Sequence, residues 1–141
     1  ELINQALELR NVHSVAALEK HPSDPVKALR GYIRAPFEVA AKEPVFRSVW
    51  MYFYHLAASN KKFEEANQMI RVLGRERILG LVSLIHEKNG NKKHEMSLTE
   101  LAYSIQGIMT GFVIMVATDP NPNYDLIADR AVKACMLLLE I

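Results

Sequence analysis

The chain has 141 residues, half of them hydrophobic and 23% charged, with Lys plus Arg exceeding Asp plus Glu by one. That length suits one domain with a sizeable core, and the even charge balance excludes the strongly basic face of a nucleic-acid binder and any acidic or polybasic tail. A single cysteine, Cys135, excludes an internal disulfide and suits a reducing cytoplasm.

The segment from Glu1 to about Lys20 is amphipathic from its first residue, with Leu2, Ala6, Leu9, Val12, Ala16 and Leu18 available for burial. No Ser, Thr, Asp or Asn precedes it to satisfy the first free N–H groups, so we expect further residues upstream. His21-Pro22-Ser23-Asp24-Pro25 stops this helix. Asp24 is placed to cap a second helix and Pro25 to fill its first position, where a missing N–H costs nothing. Leu29, Ile33 and Phe37 form an i, i+4, i+8 row along it. Pro36 is expected to kink or end it near Arg34.

Pro44 restarts the chain, and Val45 to Ala58 reads as a third helix rich in aromatics: Phe46, Trp50, Tyr52, Phe53 and Tyr54. A fourth runs from about Lys61 to Glu87 with apolar residues on more than one face, which predicts a central position with neighbours on two sides. Asn89-Gly90-Asn91 ends it. Ser97-Leu98-Thr99-Glu100 has the spacing of a capping box and opens a fifth helix, Leu98 to Thr118. Asp119-Pro120-Asn121-Pro122-Asn123 breaks the chain again, and Asn123 is placed to cap a last helix, Tyr124 to about Glu140. No period-two alternation or hairpin turn occurs. The expected fold is all-α, a single antiparallel bundle of about six helices over residues 1–141 with short connections.

Leu101 to Thr118 carries no charge and is close to the shortest length that spans a bilayer. Ser104, Gln106 and Thr110 interrupt it, so we read it as a helix buried on nearly all sides, with no membrane partner.

No catalytic apparatus is legible. His13, His21, His55, His86 and His94 show no metal-ligand spacing. There is no nucleophile elbow and no phosphate-cradling glycine loop. Glu64-Glu65 suits the positive end of a helix dipole, and Cys135 sits in an apolar stretch as a small core residue. We expect neither enzymatic activity nor a metal or cofactor.

Two features stand out. Phe46, Trp50, Phe53 and Tyr54 share roughly one helix face, which serves either as core or as the wall of a ligand pocket; aromatic faces there could also hold a cation. Gly107-Ile108-Met109-Thr110-Gly111 sets two small residues four apart. Each glycine inside a helix costs about 1 kcal/mol relative to alanine, so close helix packing is expected, either inside the chain or across a subunit interface. The apolar face of the last helix (Leu126, Ile127, Ala131, Ala134, Cys135, Leu138 and Leu139) favours the interface, two helices per subunit docking as a four-helix bundle.

In the order and spacing of these segments the chain resembles the C-terminal ligand-binding and dimerisation domain of TetR-family transcription regulators, within them the choline-responsive BetI-like type. The resemblance runs through Glu1 to Leu7 as the start of the helix linking to a DNA-binding domain, Pro44 to Tyr54 as the tryptophan-bearing helix, and Arg71 through Arg77 as the basic middle of a long helix. It continues through Leu101 to Gly111 as a helix with a small-residue dimer face and Asp129 to Leu139 as the final dimerisation helix. It implies a regulatory domain that binds a small-molecule effector and forms a homodimer. Operator DNA would be bound only through a helix-turn-helix domain that this chain lacks. From helical phase, the expected pocket residues are Trp50, Phe53, Tyr54, Met69, Leu73, Gln106, Met109 and Phe112, with Gln106 as the polar contact. The expected interface is Tyr103, Gly107, Gly111, Ile114, Leu126, Arg130, Ala134 and Leu138. A competing reading, a helical interaction module with no small-molecule role, predicts a fully packed core and no cavity behind Trp50.

Overall fold

The computed structural model describes all residues 1–141 and contains six helices and no strand: α1 (Leu2–Glu19), α2 (Pro25–Lys42), α3 (Val45–Ser59), α4 (Lys61–Lys88), α5 (Leu98–Thr118) and α6 (Tyr124–Leu138). Four of the six starts are set by a capping side chain, three of them where the sequence placed it. Asp24 accepts from the Lys27 amide, and Asn123 accepts from the Leu126 amide. Ser97 and Glu100 bond reciprocally as a capping box. Asn60 caps α4 by accepting from the Lys62 amide. α4 stops at Gly90, whose φ of 73° lets the Asn91 and Gly90 amides return to the carbonyls of His86 and Glu87. These are the paired bonds of a Schellman ending.

Expectations for α2 and α4 need correction. α2 does not end near Arg34; it continues through Pro36 to Lys42. Pro36 is fully buried, and burial of the whole helix outweighs the single backbone bond that its ring removes. α2 is also the central element, buried along most of its length and touching every other helix. α4, expected to be central, buries only Ile78, Val82 and Ile85. Its first half carries apolar side chains outward, Met69 being 74% exposed.

The core is one cluster built on Leu29, Ile33 and Phe37 of α2, Trp50 of α3, Ile78 and Val82 of α4, Ile105 of α5 and Ala131 of α6. Arg34 ties α2 to α6 through Asp125 and Asp129, and pairs with Glu38 on its own helix. Arg47 donates to the Tyr124 hydroxyl and joins α3 to α6.

α5 is long and apolar enough to cross a membrane by length and composition. It is not buried on nearly all sides. Leu101, Ile105, Met109, Val113 and Val116 enter the core, while Tyr103, Gly107, Gly111, Ile114 and Met115 of the opposite side are uncovered.

Candidate functional site

The site follows from one absence of packing. α1 packs on α2 and α3, and α4 packs on α2, α3 and α5, but α1 and α4 make no backbone approach to each other. Between them lies a cavity of about 400 Å³, within the range of roughly 300–1,000 Å³ usual for small-molecule sites. One side-chain bond spans the gap, Arg77 of α4 donating to Asn11 Oδ1 of α1 at 2.9 Å.

α1 supplies Leu7, Glu8, Arg10, Asn11 and Ser14 to the wall. α2 supplies Tyr32 and Pro36, and α3 supplies Trp50, Phe53 and Tyr54. α4 contributes Asn67, Ile70, Arg71, Leu73, Gly74, Arg77 and Ile78, which recur every three to four residues as one helical face requires. α5 adds Gln106, Met109 and Thr110. Ile70, Arg71 and Leu73 are exposed and form the rim; Trp50, Phe53 and Ile78 are buried and form the floor.

Six of the eight residues expected around a pocket therefore stand on this one cavity: Trp50, Phe53, Tyr54, Leu73, Gln106 and Met109. Met69 and Phe112 do not. Met69 lies on the outer side of α4, since the rim positions Ile70, Leu73 and Gly74 fix the inward face and leave it pointing away. Phe112 is partly buried against the core, one position before Val113 and off the inward row Ile105, Met109 and Val113.

The polar residues are held in place. Arg10 donates to the Tyr54 hydroxyl at 3.0 Å and lays its guanidinium over the Trp50 ring, 5.3 Å from its centroid. The Trp50 Nε1 in turn donates to the Ala6 carbonyl of α1. The aromatic face that could have held an external cation is thus taken by the chain's own arginine. Gln106 is engaged at both ends, its Nε2 donating to the Arg71 carbonyl at 2.8 Å and its Oε1 accepting from Arg75 at 3.2 Å. Its role is to lock α5 onto α4 rather than to offer a free amide. Gly74 allows this approach, because a Cβ there would stand 3.0 Å from Gln106 Nε2 and 3.5 Å from the Tyr32 hydroxyl.

The arginines were not singled out in the sequence as pocket residues. A partial signal existed in Arg71 and Arg75, which the helical period places on one face of α4; Arg77 projects from a different side and its place on the cavity was not legible. Arg10 was invisible, since only the tertiary fold brings α1 against α3.

The residues expected at an interface are all at the surface or partly so. Tyr103, Gly107, Gly111, Ile114, Leu126 and Arg130 are exposed, and Ala134 is half-buried. Leu138 turns partly into the core, and Leu137 takes the outward place at 67% exposure. Nothing in the chain lies within 4 Å of a Cβ built on Gly107 or Gly111. Close helix packing inside the chain is therefore not the reason for these glycines. The fold also brings His86 and His94 together, ring centroids 5.7 Å apart, although no spacing in the sequence linked them. No cluster of three or more metal-ligating side chains is formed.

No protein-family profile matches the chain, and no curated protein matches its sequence. Among solved structures, it is similar to the crystal structure of a protein from Pseudomonas aeruginosa PAO1 described, provisionally, as a transcriptional regulator. The TM-score is 0.76 at 14% identity, over 99% of this chain. The chain spans 64% of that protein's length. At this identity the likeness shows a shared helical fold; function must be argued from the site itself.

Proposed function

We propose that the chain is the effector-sensing and dimer-forming part of a transcriptional regulator of the TetR type, without catalytic activity. The observation that carries this reading is the position of the cavity between α1 and the rest of the bundle, with the two walls joined across it by the Arg77–Asn11 hydrogen bond alone. A ligand in that gap contacts α1 and α4 together. It favours whichever separation of the two helices it fits best, and its differential affinity sets how far the population moves. In a dimer, two displaced α1 helices would change the spacing of two DNA-reading units joined to them, and affinity for an operator with fixed half-site spacing would fall. The uncovered face of α5 and α6 supplies a surface for the second copy. The fold it shares with a longer protein described as a regulator supports the same reading.

The test is the coding sequence upstream of Glu1 together with operator binding by the intact protein. A three-helix unit with a basic recognition helix, and operator affinity that changes when the cavity is filled, is the expected result. An upstream region with no such unit would end the transcriptional claim.

A further inference from the structure

Three arginines (Arg10, Arg71 and Arg77) and one carboxylate (Glu8) face the cavity, a formal net charge of +2. Arg75 stands one turn from Arg71 and donates to Gln106. None of these four arginines has a carboxylate within ion-pair distance. Arg10 and Arg77 are partnered only by neutral oxygens, of Tyr54 and Asn11. The Arg71 guanidinium makes no hydrogen bond within the chain and stands at the exposed rim. On the far side of the bundle the contrast is plain, for Arg34 meets Glu38, Asp125 and Asp129. Around the cavity the sequence gathers three guanidinium groups beside an apolar floor against one carboxylate, Glu8, which forms an ion pair with none of them. A guanidinium is weakly hydrated and matches a carboxylate or phosphate in a two-point fork, so it gives up its water readily for such a partner. A cationic head would meet like charges, and Arg10 already covers the Trp50 ring.

Resting on the reading of the cavity as an effector site, we propose that its ligand is an amphipathic organic anion. Its carboxylate or phosphate monoester head meets Arg71 and Arg77, and its apolar body lies against Trp50, Phe53 and Met109. The anion thereby replaces the bond of Arg77 to the uncharged Asn11 side chain with an ion pair on α4, which removes the hydrogen bond joining α1 to α4.

Trp50 is the sole tryptophan and lies on the cavity, so its emission reports occupancy directly. The experiment titrates the protein with decanoate, decyl phosphate, decanol and decyltrimethylammonium below their aggregation concentrations, read by Trp50 emission and by thermal shift. At least one of the two anions should bind tenfold or more tightly than decanol, the tighter one naming the head group, and the cation should bind worst. Anion affinity should fall with added salt. Arg71→Gln should lower it about tenfold, or about 1.4 kcal/mol, and leave decanol unchanged. Arg77→Gln serves as the second variant, each used only if its unperturbed melting curve shows it folded. Decanol or the cation binding as tightly as both anions would overturn the anionic assignment while leaving the cavity as a ligand site, as would anion affinity indifferent to both substitutions. No response to any of the four probes would overturn the effector reading itself.

Discussion

Arg10 and Tyr54 are the residues through which α1 is attached to the aromatic helix, and their chemistry is measurable. Burial pushes the Tyr54 phenol up, but the Arg10 guanidinium, by its charge and its hydrogen bond, together with Arg71, outweighs this and holds it below the ordinary 10.0. A lowered folded value means that folding favours the phenolate. Its contribution to stability is absent at neutral pH, appears as pH rises through the lowered value and is complete above the ordinary one. Spectrophotometric titration should show a tyrosine phase below the ordinary 10.0. Tyr54→Phe should abolish that phase and cost about 1 kcal/mol at pH 7, the worth of one hydrogen bond; a titration unchanged by the substitution would contradict the pairing. Cys135 behaves in the opposite sense. Its thiol is fully buried and pushed up to about 12 by that burial, so folding favours the neutral form. The stability it contributes is present below the ordinary 9.0 and is lost as pH climbs from there towards 12. A thiol reagent at mildly alkaline pH should react at the rate of global unfolding and at once in denaturant. Rapid reaction with the native protein would refute this burial.

At the scale of elements, the glycines of α4 separate propensity from packing. Gly80 has open space where a Cβ would stand, so Gly80→Ala should stabilise the protein by about 0.5–1 kcal/mol through the helix alone. Gly74→Ala makes the same gain in propensity but drives a methyl against the Gln106 amide. It should weaken the Gln106–Arg71 bond and melt below Gly80→Ala, and chemical denaturation of the pair measures the difference. Equal stabilisation would show that Gln106 moves aside freely. Pro36 illustrates the same competition. Its local cost is fixed by its ring, yet a helix buried against five neighbours continues through it. The reverse holds for the first half of α4, whose apolar residues suggested a central place. Phe63 packs on Phe53 of α3, but Met69, Ile70, Val72 and Leu73 line a rim and an outer surface because α1 does not close over them.

For the whole molecule, the uncovered side of α5 and α6 is the surface on which the proposed dimer is tested. It presents Tyr103, Ile114, Met115, Leu126 and Leu137 around two glycines with nothing above them. Exposed apolar faces of this kind mark association sites. If two copies dock there, sedimentation should give a dimer whose melting temperature rises with concentration. Gly111→Leu, which meets no obstacle within the chain, should then give a folded monomer. A dimer that survives the substitution would place the contact on another face.

The sequence by itself determined the six helices and nearly all their limits, because caps, breakers and the 3.6-residue period act within a few residues of chain. It also marked the aromatic wall, since Trp50, Phe53 and Tyr54 lie on one helix and their phase is a local property. Only the tertiary structure decided which helix is central, that Pro36 is absorbed, that Met69 and Phe112 stand off the cavity, and that Arg10 joins Arg71 and Arg77 around it. Those outcomes depend on which helices pack together and which, like α1 and α4, leave a gap. Such choices are made by burial summed over the whole fold, and no stretch of sequence a few turns long contains that sum.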